Sequence, residues 1–153
     1  MNTNITKTWE IDINENEVFS RCTNESLYQS YRRTAGAEGA EQMAMTDDDR
    51  AQFRVYYENA IANLHMILSR RIDENMADYC MDCGCVSFYL QMHDNHDNNM
   101  LPILINHCYD YVVKKVLEQW YNINFGSELA KLEIKHCLHY RKNPVRRRIG
   151  PLF

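Results

Sequence analysis

Residues 46–79 read TDDDRAQFRVYYENAIANLHMILSRRIDENMADY, and this segment has the strongest helical pattern in the chain. Thr46 can cap a free backbone N–H, and Asp49 stands at the reciprocal position of a capping box. Large apolar residues then recur at steps of three and four, with no Pro or Gly among them: Phe53, Tyr57, Ile61, Leu64, Leu68 and Ile72. This spacing predicts one apolar stripe on a continuous helix about 45–50 Å long.

A second long helix is predicted from about Leu101 to Tyr121. Pro102 suits its first turn, where the missing backbone N–H costs little. Its apolar stripe consists of Leu101, Leu104, Ile105, Cys108, Val112, Val116 and Trp120. A shorter helix is predicted from about Glu128 to Tyr140. The residues that would face inward on this helix are Ala130, Ile134, Cys137 and Leu138.

Two short segments, Lys7 to Ile13 and Val86 to Met92, alternate apolar and polar residues, which predicts a pair of strands. Asn14 follows the first strand as the cap of a helix that should run to about Arg33, with a break near Thr23 left open. Residues 35–45 are rich in Gly, Ala and Glu and predict a flexible linker.

The chain has 153 residues, of which 45% are hydrophobic, and this composition fits one domain with a modest core. The expected fold class is mainly α: a helical bundle with two long antiparallel helices, a small two-stranded β element and an extended C-terminal arm. Residues 1–140 would form the single helical domain, and residues 141–153 would form the basic arm.

The sequence contains neither a membrane-span pattern nor a secretory-signal pattern. Its longest apolar run, Leu101 to Ile105, is far too short to cross a bilayer. Asn2, Thr3 and Asn4 do not resemble the apolar core of a signal peptide. We therefore expect synthesis in the cytosol and no membrane partner. The six cysteines of such a chain are expected to be free thiols.

Charge is distributed unevenly along the chain. The whole sequence has 17 Lys and Arg residues against 21 Asp and Glu residues. Five of the basic residues lie in residues 141–153, which contain no acidic residue. Residues 1–140 are therefore left with 12 basic and 21 acidic side chains, a net charge of −9. An acidic body with a basic tail indicates that the tail binds an anionic partner.

The tail supplies the candidate partner-binding residues, which are Arg141, Lys142, Arg146, Arg147, Arg148, Ile149, Leu152 and Phe153. Basic residues followed by an apolar tip are expected of an arm that lies along an acidic neighbour and fills a pocket. Nucleic acid is the alternative partner. Protein docking is favoured, because a body of charge −9 would repel phosphate. An arm that binds an identical neighbour head-to-tail generates a ring or a filament.

A cluster of three cysteines, Cys80, Cys83 and Cys85, has the spacing of a zinc hook. The remaining ligands would have to come from His93, His96, His107 or Cys108, and the sequence shows no clear second hook. Ordinary free thiols at a helix end are the favoured explanation of the cluster. We therefore expect no metal and no cofactor, and a small zinc-binding module remains the alternative.

Two further clusters also have simpler explanations than catalysis. His136, Cys137 and His139 lie on a predicted helix, where neighbours one and two apart point in different directions. The acidic run from Asp47 to Asp49 is explained by capping and by the helix dipole. No nucleophile with an oriented base is evident, so we expect a protein without enzymatic activity.

Several motifs resemble small structural proteins of phages and prophages of gut Bacteroidales, close to the head–tail connector, or adaptor, proteins. The resemblance covers about residues 15–122. It rests on Glu17–Phe19, Thr46–Arg50, the strand Val86–Met92, the loop Asp94–Asn99 and the helix end Val116–Tyr121. The cysteine cluster and the three arginines Arg146, Arg147 and Arg148 have no counterpart in that resemblance.

The resemblance implies a virion protein, assembled in the bacterial host cytoplasm, that forms a ring next to the portal. Its partners would be further copies of itself and neighbouring portal or tail components. Duplex DNA would pass through the ring without specific binding, because an acidic wall repels phosphate. A nucleic-acid-binding regulator led by the basic tail is the second alternative, beside the zinc module.

Overall fold

The computed structural model describes residues 6–34, 44–72 and 84–140. These residues form a mainly helical fold with a small antiparallel sheet. The elements in chain order are β1 Thr6–Asn14, α1 Glu15–Thr34, a 3-10 turn Asp47–Asp49, α2 Arg50–Leu68, β2 Cys85–His93, α3 Met100–Tyr121 and α4 Ser127–His139. Within the described ranges, no helix is long and apolar enough to cross a membrane.

The predicted pair of strands is confirmed. β1 and β2 run antiparallel, with Thr6 opposite His93 and Asn14 opposite Cys85. Alternate residues of both strands are buried: Trp9, Ile11, Ile13, Val86, Phe88, Leu90 and Met92. This alternation places one face of the sheet on the core, where the helices cover it.

The predicted continuous helix over residues 46–79 is wrong, because α2 ends at Leu68. The Ser69 hydroxyl donates to the carbonyl of Met66 at 2.9 Å, and the chain turns there. The free edge of β2 then supplies backbone partners: the Gln91 N–H donates to the carbonyl of Arg71 at 2.6 Å. Ile72 forms an isolated bridge with Leu90 instead of continuing the helical stripe. At 19 residues, α2 is about 28 Å long.

The apolar stripes of α2 and α4 lie where the periodicity predicted them. On α3, Leu101, Ile105 and Trp120 of the predicted stripe are only half-buried, and Tyr111 is buried in addition. On α2, the five residues from Phe53 to Leu68 that were expected to be buried have at most 1% exposure. The four residues expected to face inward on α4 are buried, and Ser127 is buried with them. The Glu17 N–H donates to the Asn14 side chain at 3.0 Å, and the Thr46 N–H donates to the Asp49 carboxylate at 2.9 Å. Both predicted helix starts are thus confirmed.

The predicted linker is too long at its C-terminal end. Ala44 and Met45 are buried, and the Met45 N–H donates to the buried hydroxyl of Ser26 at 2.9 Å. This contact fixes the entry to α2 against α1, so residues 44 and 45 belong to the core. The rest of the linker, residues 35–43, lies outside the described residues. α1 itself is continuous through Thr23.

A carboxylate from α3 organises the start of α4. Glu118 accepts hydrogen bonds from the backbone N–H groups of Phe125 at 3.0 Å and Ser127 at 3.1 Å, and from the Ser127 hydroxyl at 2.7 Å. Burial raises the pKa of Glu118, but the bonds from Ser127 and Phe125 outweigh burial and hold that pKa below its ordinary value. Gly126, at φ +90°, adopts a backbone conformation that favours glycine at this turn.

We expect Glu118→Gln to lower the free energy of unfolding by about 1–2 kcal/mol at neutral pH, because an amide cannot accept all three hydrogen bonds. The folded-state pKa of Glu118 is depressed, so this stabilisation is present above the unfolded pKa of about 4.3 and is lost as the pH falls through the folded value. Urea unfolding at neutral and successively lower pH measures the difference.

The matched control for that experiment is Glu133→Gln, which changes an exposed carboxylate on α4. It should leave stability almost unchanged at every pH. A gap between wild type and Glu118→Gln that persists undiminished in acid would show that the carboxylate charge at Glu118 is not what stabilises this turn.

Candidate functional site

All eight predicted partner-binding residues, from Arg141 to Phe153, lie outside the described residues. Cys80 and Cys83 of the cysteine cluster also lie outside them. The partner of the tail and the zinc alternative therefore stay predictions. Cys85, the third member of the cluster, begins β2 and is half-buried.

Two of the suggested zinc ligands have other roles in the fold. Cys108 is fully buried, and burial, followed by the neighbouring Cys137, raises the pKa of its thiol far above the ordinary range. His96 is only 2% exposed, and both of its ring nitrogens face backbone carbonyls. In the described part of the chain, no group of three or more His, Cys, Asp and Glu side chains could hold a metal ion.

The second cysteine–histidine cluster lies on α4 as predicted. Cys137 faces the core with 1% exposure, and burial raises the pKa of its thiol. His136 and His139 are exposed on other sides of the helix. The helical geometry therefore separates the three side chains.

A pocket of about 670 Å³ lies between the C-terminal ends of α2 and α4. We call it the basic pocket, after the five basic residues that line it: Arg70, Arg71, Lys131, Lys135 and His139. No acidic side chain is among its described lining residues. Arg70 and Arg71 follow the end of α2, whereas Lys131, Lys135 and His139 recur at steps of four along one side of α4.

Contacts beneath the basic pocket hold its two walls together. The Arg71 guanidinium donates to the Leu138 carbonyl at 3.1 Å, near the end of α4. The His96 ring nitrogen Nε2 lies 3.0 Å from that same oxygen. Two groups from distant parts of the chain thus meet at one helix terminus, which attracts positive charge.

A second feature of α4 is an exposed apolar row on the side away from the core. Leu129 and Leu132 are each 61% exposed, and Tyr140, just after the helix, is 41% exposed. With His136, whose ring centroid lies 6.4 Å from that of Tyr140, they recur at steps of three and four. We call these four residues the outer stripe. α4 therefore presents apolar side chains on two faces, of which one is covered.

An apolar groove adjoins the basic pocket at Met66. It has a volume of about 440 Å³ and is lined by residues of α2, β2 and the bridge between them, including His65, Ile72 and Phe88. Met66, which is 71% exposed, borders both the groove and the basic pocket. The surface around the end of α2 thus combines cationic and apolar character.

Sequence reasoning missed the basic pocket. The available signals were the adjacent pair Arg70 and Arg71 and the four-residue spacing of Lys131 and Lys135. Each signal alone describes an ordinary solvated face, and only the packing of α4 beside the end of α2 brings the two together.

No family model, no curated protein and no solved structure matches this chain.

Proposed function

We propose that this protein is a non-enzymatic structural subunit of a phage particle, of the head–tail connector type, which assembles into a ring next to the portal. The phage assignment rests on the motif resemblance over residues 15–122. The observation that carries the assembly part of the proposal is the outer stripe of α4, because it leaves large apolar side chains in water on a helix whose inner face is already packed.

The energetics of the outer stripe favour a protein partner. Fully burying one Leu side chain stabilises a contact by about 1.5–3 kcal/mol. Leu129 and Leu132 lie almost one turn apart and would be covered together by a single facing surface. Scattered exposed leucines are common, but a row of apolar residues at helical spacing is typical of an interface.

The charge pattern supports a second copy of the chain as that partner. Lys131 and Lys135 lie on the flank of α4 next to the outer stripe, whereas Asp47 and Asp48 are exposed at the opposite end of α2. One surface of a subunit is therefore complementary in charge to a different surface of its neighbour. A contact between two different surfaces is heterologous and closes into a ring when its rotation allows.

In this proposal α2 and α3 act as two long antiparallel helices of a bundle that spaces neighbouring subunits around the ring. The acidic body lines a passage through which duplex DNA moves without binding. The tail, with Arg146–Arg148 and the apolar tip Leu152 and Phe153, grips an adjacent subunit or a portal or tail component. The ring resides in the virion and assembles in the host cytoplasm.

Mass photometry and negative-stain electron microscopy test the proposal on the full-length chain and on a variant that ends at Asn143. The full chain is expected to form closed rings, and the shortened chain to form fewer or none, because it lacks the basic arm. A full-length protein that remains monomeric at high micromolar concentration, alone and with a portal, would refute the proposed function. If both chains assemble equally well, only the proposed role of the arm is refuted, and the proposed ring assembly stands.

A further inference from the structure

We propose that the basic pocket is a binding site for a small phosphate ester of the nucleotide type. This site shares Lys131 and Lys135 with the flank of the proposed assembly surface. Ligand binding by a single subunit does not depend on the proposed function. Its basis is the convergence of Arg70, Arg71, Lys131 and Lys135 on one cavity in a chain whose net charge is −4.

The positive charge of the pocket exceeds what the helix ends require. The C-terminal ends of α2 and α4 carry about half a negative charge each, so they account for about one of the four positive charges. Arg71 is the residue that caps α4, through the Leu138 carbonyl. Lys131 has an acidic neighbour, Glu128, at 4.0 Å, which is a long distance for an ion pair on an exposed surface. Besides Arg71, three basic side chains line the pocket, Arg70, Lys131 and Lys135, and only Lys131 has an acidic partner among the described residues. They suit a ligand with several negative charges.

Shape and polarity narrow the class of ligand further. A volume of about 670 Å³ lies within the range of small-molecule sites, roughly 300–1,000 Å³. The lining also contains three apolar residues, Met66 and Ile67 of α2 and Leu138 of α4. An inorganic anion would leave this apolar surface unused, whereas a nucleotide would place its phosphates on the cations and its base against the apolar residues.

Tyr111 is the most buried side chain in the lining, at 2% exposure. No hydrogen bond joins its hydroxyl to another described residue. Burial, followed by the charges of Glu128 and Glu118, raises the pKa of Tyr111 to about 12, so the hydroxyl stays protonated. Because Tyr111 shares the lining with the cations, its protonated hydroxyl can donate a hydrogen bond to a phosphate oxygen, which gives the pocket a neutral donor as well as charge.

The arrangement favours a small ligand over a nucleic-acid strand or an acidic protein segment. A duplex is bound by cations spaced along its backbone, but these four converge on one cavity. A carboxylate carries one negative charge, whereas a phosphate ester carries close to two at neutral pH. The local density of positive charge therefore matches phosphate better than carboxylate.

Isothermal titration calorimetry on the full-length chain tests this inference with magnesium-free ATP as the probe. We expect binding of ATP, weaker binding of inorganic phosphate and none of adenosine. Lys131→Gln combined with Lys135→Gln should weaken ATP binding at least tenfold. The matched control, Lys114→Gln combined with Lys115→Gln on α3, removes the same charge elsewhere and should leave the affinity unchanged.

Three results would overturn the inference. The first is no ATP binding by the wild-type chain, and the second is equal affinity of the two double variants. The third is tighter binding of a short duplex DNA or of polyglutamate than of ATP, which would assign the cations to nucleic acid or to an acidic protein. Arg146→Gln, Arg147→Gln and Arg148→Gln together should leave ATP binding intact, and a loss of binding in this variant would move the site to the tail.

Discussion

Replacing Leu129 and Leu132 with glutamate is expected to convert assembled protein into folded monomers. Both side chains are 61% exposed, so the charges enter water in the monomer and the fold is barely disturbed. In an assembly they would enter a desolvated apolar contact without partners. Central apolar interface residues each contribute about 2 kcal/mol or more, so losing both should weaken association by roughly a thousandfold.

Sedimentation velocity over a concentration series measures the change in association, and circular dichroism during heating verifies the fold. The matched control is Val55→Glu, which places a charge at an exposed apolar position on α2, 52% exposed and away from the outer stripe. It should leave the assembly intact. Unchanged assembly in the double variant would show that the outer stripe is not the interface, even if the wild type forms rings.

Patterns with a short period along the chain were sufficient to predict most of the fold. The inward face of α4 follows from residues three and four apart, and the alternation in β1 and β2 follows from residues two apart. These periodicities reflect one buried face per element, which holds whatever the neighbours are. Elements of this kind were located to within a few residues.

The errors arose where a distant part of the chain decided the local structure. The helical pattern continues past Leu68, but the edge of β2 offers hydrogen bonds to Arg71 and a bridge to Ile72, and these override it. In the same way, the buried hydroxyl of Ser26 draws Met45 into the core at the end of a segment whose composition is typical of linkers. Neither partner is visible from the local sequence.

The candidate site illustrates the same limit. The basic pocket requires the end of α2 and one side of α4 to lie side by side, and nothing in the spacing of Arg70 and Lys131 encodes that contact. The outer stripe was also hidden, because the prediction for α4 considered only its inward face. The sequence shows that Leu129 and Leu132 are apolar, but their exposure depends on which face of α4 the core covers.

His96 is the second position where we expect a large effect. It lies in the polar loop after β2 and was considered only as a possible zinc ligand, yet it is 2% exposed. Its ring nitrogens lie 3.1 Å from the carbonyl oxygen of His93 and 3.0 Å from that of Leu138. In either neutral tautomer one ring N–H can donate a hydrogen bond to one of these two carbonyl oxygens.

Three contacts hold His96 in place. Its ring nitrogen Nε2 faces the Leu138 carbonyl at the C-terminal end of α4, where Arg71 donates to the same oxygen. Trp9 of β1 packs edge-on against the imidazole, with ring centroids 5.9 Å apart. The backbone carbonyl of His96 accepts a short hydrogen bond from the Lys7 amine. The residue thus joins β1, the loop after β2 and α4 at one point.

We expect His96→Ala to lower the free energy of unfolding by about 2–4 kcal/mol, because ring hydrogen bonding to a backbone carbonyl and packing against Trp9 are both lost in a buried site. For a domain of this size the midpoint of thermal unfolding should fall by about 5–15 °C. His96→Phe separates the causes, since it keeps a ring against Trp9 but provides no donor. It should therefore recover only part of the loss.

Differential scanning calorimetry of both variants, with His139→Ala as the matched control, measures how much the contacts of His96 stabilise the fold. His139 is exposed on α4, so its removal should shift the midpoint only slightly. A midpoint of His96→Phe equal to that of the wild type would mean that ring packing, and not hydrogen bonding by the ring, connects the loop to α4. If the midpoints of His96→Ala and His139→Ala are equal, His96 does not stabilise the contact between β1, the loop after β2 and α4. The contact between α4 and the end of α2 would then depend on Arg71 alone.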